Sequence, residues 1–350
     1  MKSLSLIQAT LSAVLLSFVQ FAYGKSPLKE DETVILFPTS AAQNNGTWDV
    51  KIHSWIFEKE EKDLSRIILQ KSFEEVFETL GQLDDDDEKL LILEKRLKWF
   101  LVDNQRNKGL SIRLNNNKYG LESSQPNGHA ITSITAGLKA KSGDWLSYKI
   151  DEEFHRNFIG EVQLIPEVGL SVISDIDDTI KVSNVLDKKE LILNTFINPY
   201  ITTEGFPDYY KKLEAEGAYF HYVSASPWQL YPSLKPFMDD NYPKGTLSLR
   251  NFRIKDSSLL DFLKPSTEYK ISTIKNIIER YSKHQFIMIG DSGEHDPDVY
   301  AEIYRQFPES IKLIQIRAVE GSDLSEKRFS DVFKYVPSEK WKVVSKPTGT

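Results

Sequence analysis

Asp175 and Asp177 stand two residues apart in the string Asp175-Ile176-Asp177-Asp178-Thr179, directly after the short apolar run Leu170 to Ile173. A second acidic string, Gly290-Asp291-Ser292-Gly293-Glu294-His295-Asp296, follows the run Phe286 to Ile289. Between them, Ser224, Ala225 and Ser226 follow the run Tyr219 to Val223. Lys270 opens a segment that carries Ile271, Ile274, Ile277 and Ile278 on one helical face. These residue types suit phosphoryl transfer. One carboxylate of a close pair attacks phosphorus and forms an aspartyl-phosphate. The other protonates the leaving oxygen and then activates water. A third carboxylate helps hold Mg²⁺, which takes oxygen ligands and screens the phosphoryl charge. A hydroxyl and an ammonium bind the remaining phosphoryl oxygens.

Each residue also has a plainer role open to it. Asp175 and Asp177 are common turn residues after a strand, and Asp178 reads as a loop or capping residue rather than a ligand. Ser224 competes with Ser226-Pro227 for the cap of the next helix, and the latter has proline at the first helical position. Asp296 followed by Pro297 reads as a helix N-cap. Lys270 is also open to the plainer role of a surface helix lysine, and Lys255 competes with it as the phosphate-binding cation. The convergence of four polar groups, each after a different strand or at a helix start, separates the chemical reading from these.

The elements that must position them form a series. From about Pro166 onward, buried apolar runs (Leu170 to Ile173, Tyr219 to Val223, Thr246 to Leu249, Phe286 to Ile289, Ile311 to Ile316) alternate with helical segments. Those segments are about 208–216, 228–238, 269–281 and 297–307. Such alternation predicts a parallel α/β sheet, whose site lies at the carboxyl ends of its strands. Earlier residues alternate with strand period around Trp48/Val50/Ile52, Ile112, Ile134, Tyr148 and Val162. Helical spacing interrupts them over 64–80 and 90–101. The acidic run from Asp84 to Glu88 reads as a solvated loop leading into a helix rather than a Ca²⁺ site. A β-sandwich-like domain with a helical insertion follows from this pattern.

The arrangement resembles the haloacid dehalogenase superfamily. Asp175, Asp177 and Thr179 fit its first motif and Ser224 its second. Lys270, or else Lys255, fits the third, and Asp291 with Asp296 the fourth. The phrases His-Tyr-Val-Ser-Ala-Ser-Pro-Trp (221–228) and Ile-Gly-Asp-Ser-Gly-Glu-His-Asp-Pro (289–297) are more closely similar to the actin-patch-type phosphatidate phosphatase family. The resemblance is strong over Gly169 to Arg317 and loose before it. It implies Mg²⁺-dependent hydrolysis of phosphatidate to diacylglycerol and phosphate. In that reading Asp175 is the nucleophile and Asp177 the general acid/base, while Thr179, Ser224 and Lys270 bind substrate. The metal is held by the Asp175 and Asp291 side chains and the Asp177 carbonyl, with Asp296 beside them. The expected fold is thus α/β: a Rossmann-like haloacid dehalogenase domain over 167–338, a smaller β-rich domain over 30–166, and a frayed tail over 339–350.

Composition sets the remaining bounds. The chain has 350 residues, is 40% hydrophobic and carries a net charge of −7, which argues against a nucleic-acid footprint. It contains no cysteine, which excludes disulfides, thiolate metal sites and a lipidated cysteine. Residues 1–24 read as a secretory signal: Lys2, then Leu4 to Phe21 with scattered polar residues, then Ala22-Tyr23-Gly24. The rival reading is an uncleaved anchor. Secretion or periplasmic delivery is expected, with peripheral membrane contact. Asn45-Gly46-Thr47 matches a glycosylation acceptor. An open site, with little chain between its first two motifs for a large cap, admits a lipid headgroup. Soluble phosphomonoesters, or a non-catalytic binding role for the N-terminal domain, are the alternatives.

Overall fold

The computed structural model describes residues 25–44, 46–59, 87–154, 156–251 and 267–347. The predicted leader, Asn45, the predicted 64–80 helix, 84–86 of the acidic run and Lys255 lie outside them. The described part is α/β, with one mixed and one parallel sheet.

The first sheet holds β1 (Glu32–Leu36), β2 (Thr39–Asn44), β3 (Thr47–Glu58), β4 (Asp103–Asn104), β5 (Ser111–Leu114), β6 (Asn117–Gly120), β7 (His129–Ala136), β8 (Trp145–Ile150) and β9 (Ile159–Ile165). Twelve-residue β3 is long enough to pair with all of β7 along Trp48–Trp55, and with β2 and β1 in succession. From β2 the pairing continues through β9, β8 and β5 to β6. Every second residue points the same way along a strand. Val50, Ile52, Ile112, Ile134, Tyr148 and Val162 thereby meet in one core, though they lie on distant parts of the path. Helix α1 (Asp87–Leu97) is the described part of the insertion.

The second sheet is parallel. Its order is β12 (Thr246–Arg250), β11 (Ala218–Pro227), β10 (Val168–Ser174), β13 (Lys283–Asp291), β14 (Ile311–Arg317) and β15 (Trp341–Val344). Central β10 is buried on both faces, as its continuous apolar run requires. Val172, Tyr222 and Ile289 face α2 (Lys188–Phe196), α3 (Phe206–Ala215) and α4 (Tyr231–Asn241). Ile173, Met288 and Ile314 face α5 (Thr267–Arg280), α6 (Asp296–Gln306) and α7 (Glu326–Val332). The chain steps outward from β10 to β12, then returns to β13 on the other side. The strand order therefore reverses between β10 and β13, where α/β crevices form.

Two expectations need correction. Residues 339–350 are not a frayed tail throughout: Trp341–Val344 pairs with Ile314–Arg317, and Trp341 stacks on Phe333 at 4.8 Å. The apolar Trp-Lys-Val-Val stretch earns its place as an edge strand by covering α7. Ser226-Pro227 caps no helix, because β11 runs on through Pro227 and the following turn starts without a side-chain cap.

The two sheets are joined by core rather than by a linker. Phe37, Trp55 and Phe57 belong to the same buried cluster as Val172, Phe220 and Trp228. Phe37 lies 4.2 Å from the Trp228 ring and 4.8 Å from that of Tyr231. Arg280 Nη1 reaches Asp49 across the seam at 2.6 Å.

Three histidines are sealed near this seam. His53 Nε2 and His129 Nδ1 share a hydrogen bond of 2.9 Å, and His221 Nδ1 meets Thr246 Oγ1 at 2.8 Å. Burial, then His129 and Lys51, hold His53 well below the usual histidine range. Burial pulls His129 down to about 3, and burial with His284 and Arg280 does the same for His221. Their folded pKa values are depressed, so the unfolded chain takes protons first. Stability is present above the ordinary pKa near 6.5 and is lost as pH falls below it. Moving from pH 7 to pH 5 is expected to cost about 2 kcal/mol per histidine. The fall in urea midpoint from pH 7 to pH 5, compared with that of a His221→Asn variant, checks this; an equal fall in both would refute it.

Candidate active site

The first acidic string is shaped by its own backbone. Asp175 N donates to Ile289 O (2.9 Å), which extends the β10–β13 pairing by one residue. The chain then doubles back: Ile176 O accepts from Ile180 N and Lys181 N, both at 3.0 Å. Asp178 adopts a left-handed φ of 50°. Its carboxylate accepts from the N–H groups of Ser183 (2.9 Å), Asn184 (3.0 Å) and Val185 (2.7 Å), while its carbonyl accepts from Arg317. Asp178 is thus the loop anchor that its Asx-turn chemistry foretells.

Asp175, Asp291, Asp296 and Lys270 come together, all buried. Lys270 Nζ lies 2.8 Å from Asp175 Oδ1, 2.6 Å from Asp296 Oδ1 and 3.0 Å from Glu294 Oε2. Asp291 Oδ1 accepts from Gly293 N and Glu294 N, and Asp296 Oδ2 accepts from Asp291 N. Asp296 is the first residue of α6 rather than its cap, a position held by His295. Pro297 follows it there, and the Asp296 carboxylate turns back toward Lys270. Both Asp175 oxygens and Asp291 Oδ2 are buried without a hydrogen-bond partner, the Lys270 contact being one of charge alone. One carboxylate oxygen each from Asp175, Asp291 and Asp296 lies within 4.8 Å of the others.

Four carboxyls around one ammonium leave an excess of negative charge. Burial, countered by Lys270 and reinforced by Asp296, Glu294 and Asp177, holds the Asp175 carboxyl well above the usual range. Burial with Asp296, Glu294 and Asp175 does the same to Asp291. Burial alone would lower Lys270, but Asp175, Asp296, Glu294 and Asp291 hold it well above an ordinary lysine. An oxygen-binding divalent cation fits these unpartnered, charge-rich oxygens.

Asp177 forms a second cluster. Lys181 Nζ is 2.8 Å from its Oδ1, which also accepts from Ser183 Oγ at 2.8 Å. Its Oδ2 accepts from Ser224 Oγ (3.1 Å) and Ser226 Oγ (2.8 Å). Burial would raise this carboxyl, but Lys181 and the serine hydroxyls outweigh it and hold Asp177 well below the usual range. Ser224 therefore bonds to Asp177. Thr179 is buried with Oγ1 unpartnered, and its carbonyl accepts from Thr203 Oγ1.

Lys181, Ser183, Ser226 and Glu294 are absent from the sequence-derived set. Lys181 had a signal, since four residues separate it from Asp177. Ser226 had one too, beside Ser224 at the same strand end.

Together these groups make an acidic, lysine-centred site at the switch point of a parallel α/β sheet. Residues 170–318 match the family model for the catalytic domain of phosphatidate phosphatase APP1. The chain is 36% identical over 177 residues to the phosphatidate phosphatase APP1 of Saccharomyces cerevisiae. It is 34% identical over 174 residues to an uncharacterized protein of Schizosaccharomyces pombe. These matches cover 49% and 48% of this chain, but only 29% and 28% of the respective relatives.

Proposed function

We propose that the chain is an exported, Mg²⁺-dependent phosphatidate phosphatase with a haloacid dehalogenase-type domain over 167–338 and a sandwich-like domain over 30–166. The observation that carries this reading is Asp175: two buried oxygens free of hydrogen bonds, held beside the Lys270 ammonium in the segment that matches the catalytic family. Export rests on the character of residues 1–24; among the described residues no helix is long and apolar enough to cross a membrane.

Asp175, Asp291 and Asp296, with the Asp177 carbonyl, would hold the Mg²⁺, which when bound neutralises charge on the phosphoryl group. Lys270 orients Asp175 and offers its ammonium to a phosphoryl oxygen, and the unpartnered Thr179 hydroxyl offers its proton to another. An Asp175 oxygen attacks phosphorus, the ester P–O bond breaks, and the diacylglycerol oxygen leaves with a proton from Asp177. Asp177 then takes a proton from the water that hydrolyses the aspartyl-phosphate. Asp177 stands as a carboxylate in the free site, so the first proton arrives with the substrate. A phosphomonoester has its second ionisation near pH 6 and supplies it.

The mouth of the site favours a lipid. Leu186 is 50% exposed and Leu324 46%. A Cβ on Gly293 would lie 3.6 Å from Leu186 Cγ, and one on Gly321 3.7 Å from Leu186 Cδ1. Leu186 thus bridges the loops after β13 and β14 and faces solvent. Leu186→Glu is expected to lower release from phosphatidate vesicles about tenfold, roughly the loss of one buried leucine contact, and to spare a soluble phosphomonoester. Equal loss on both substrates would remove the lipid argument.

Gly290 tests the metal cluster. A Cβ there would lie 2.7 Å from the Asp296 Cβ and 2.8 Å from its Cγ. Gly290→Ala is expected to push Asp296 aside and to abolish the rise in Tm that Mg²⁺ gives the native chain. A full Mg²⁺-dependent rise in the variant would exclude Asp296 from the metal site.

The deciding experiment follows phosphate release from phosphatidate in mixed micelles, with Mg²⁺ and then with chelator, beside a panel of soluble phosphomonoesters. Mg²⁺-dependent release, well above the panel, supports the lipid phosphatase. Release from the panel alone keeps the chemistry and discards the lipid. No release from either would sink both enzymatic readings and turn attention to the N-terminal domain.

A further inference from the structure

Arg96, near the end of α1, lies outside the segment that matches the catalytic family, yet its side chain is buried against it. Its guanidinium carbon sits 3.8 Å from the centre of the Tyr200 ring. Arg96 Nη1 donates to Thr195 O at 3.0 Å, and Tyr200 Oη donates to the same carbonyl at 3.2 Å. Ring and guanidinium are therefore fixed to one point at the end of α2. The same Tyr200 ring carries a second cation: Lys181 Nζ, 5.2 Å from its centre. That ammonium is the one that holds Asp177 at 2.8 Å. Behind it, Val182 N donates to Ile201 O at 2.9 Å, so the strand-like stretch after Tyr200 backs the Asp177 loop.

We infer that Arg96 and Tyr200 are positioning residues: they fix the ammonium of Lys181, and through it the Asp177 carboxylate, so that the first half of the chain sets the aim of the acid/base group. A cation over an aromatic face is attracted by the ring quadrupole, more strongly where water is excluded. Lys181 and Arg96 are 3% and 6% exposed, so water does not level the attraction. Without the ring, the Lys181 ammonium keeps Asp177 and the Ser183 hydroxyl as partners, both on one side, but loses the surface behind it that completes its cage. A carboxylate displaced by a fraction of an ångström still binds substrate but transfers its proton poorly. The inference rests on the proposed phosphatase reading for its kinetic consequence, and on geometry alone for the contact.

Two measurements on the full chain test it. The first is a double-mutant cycle in phosphate release. Tyr200→Leu is expected to lower kcat between about 10-fold and 100-fold, with KM within about twofold. Tyr200→Phe, which keeps the ring, restores most of it. Lys181→Met with Tyr200→Leu should be no slower than Lys181→Met alone, because both act through one ammonium. Losses that multiply would overturn the inference, as would Arg96→Leu lowering Tm with kcat unchanged. The second measurement needs no turnover. In Asp175→Asn protein with labelled lysines, the Lys181 side-chain ammonium resonance, assigned by Lys181→Arg, should shift in Tyr200→Leu and in Arg96→Leu. A resonance that ignores both changes refutes the contact, whatever becomes of the phosphatase reading.

Discussion

Asp175→Asn is expected to reduce phosphate release by at least about 10³-fold while leaving the fold intact. The substitution is nearly isosteric and removes the carboxylate that, in the proposed reading, attacks phosphorus beside Lys270. It also removes one of four carboxyls crowded around a single ammonium, two of them without a full set of partners. Less like-charge repulsion remains in the metal-free site, so Tm without Mg²⁺ should be equal to or above that of the native chain. The rise in Tm on adding Mg²⁺ should shrink, because an oxygen of the proposed metal site has been replaced by an amide nitrogen. Phosphate release and melting curves with and without Mg²⁺ measure all three effects. Retention of more than a tenth of the activity would remove Asp175 from the nucleophile's role.

Lys270→Met carries the largest expected loss of stability. The ammonium contacts Asp175, Glu294 and Asp296, and the side chains of Asp175 and Asp296 are 2% and 0% exposed. Removing one partner from a buried ionic group typically costs about 3–5 kcal/mol, because the other charges stay buried and unpaired. The carboxyls escape part of this by staying protonated. Burial already holds Asp175, Asp291 and Glu294 above the usual carboxylate range, and losing the lysine raises them further. A carboxyl with a raised folded pKa contributes most at low pH and loses that contribution as pH rises. The deficit of the variant should therefore be smaller at pH 5 than at pH 8, and Mg²⁺ should recover part of it at pH 8. Urea unfolding of both proteins at the two pH values tests the sign. A deficit that grows as the pH falls would contradict the assignment.

Asp175, Asp291 and Lys270 were legible in the sequence because each sits where a local pattern ends. Two follow buried apolar runs, and the third opens an amphipathic helix. The parallel sheet was legible for the same reason. Helix α2 escaped notice although Asp187 and Glu190 announce its start, and Asp187 does cap the N–H groups of Lys189 and Glu190. What pattern could not supply was distance. Ala41 pairs with Leu164 between β2 and β9, and His53 bonds to His129 from 76 positions away. The strand-end position of Ser224 suggests a phosphate ligand, but its hydroxyl, with that of Ser226, is donated to Asp177, a contact set by where the loop folds back. Arg96 carried no chemical signal at all, since nothing near it in sequence belongs to the site.

Phe37, Trp55 and Phe57 have a consequence for inheritance. They close one face of the parallel sheet's core, yet they lie more than a hundred residues before the segment that carries the chemistry. The portable unit is therefore larger than the catalytic segment. A gene fragment holding 170–318 alone would inherit the reaction's side chains together with an uncovered aromatic face around Phe220, Trp228 and Tyr231, and would need a substitute cover from its new host protein. Selection on the early strands thus acts on the proposed active site even though those strands lie outside the segment that forms it.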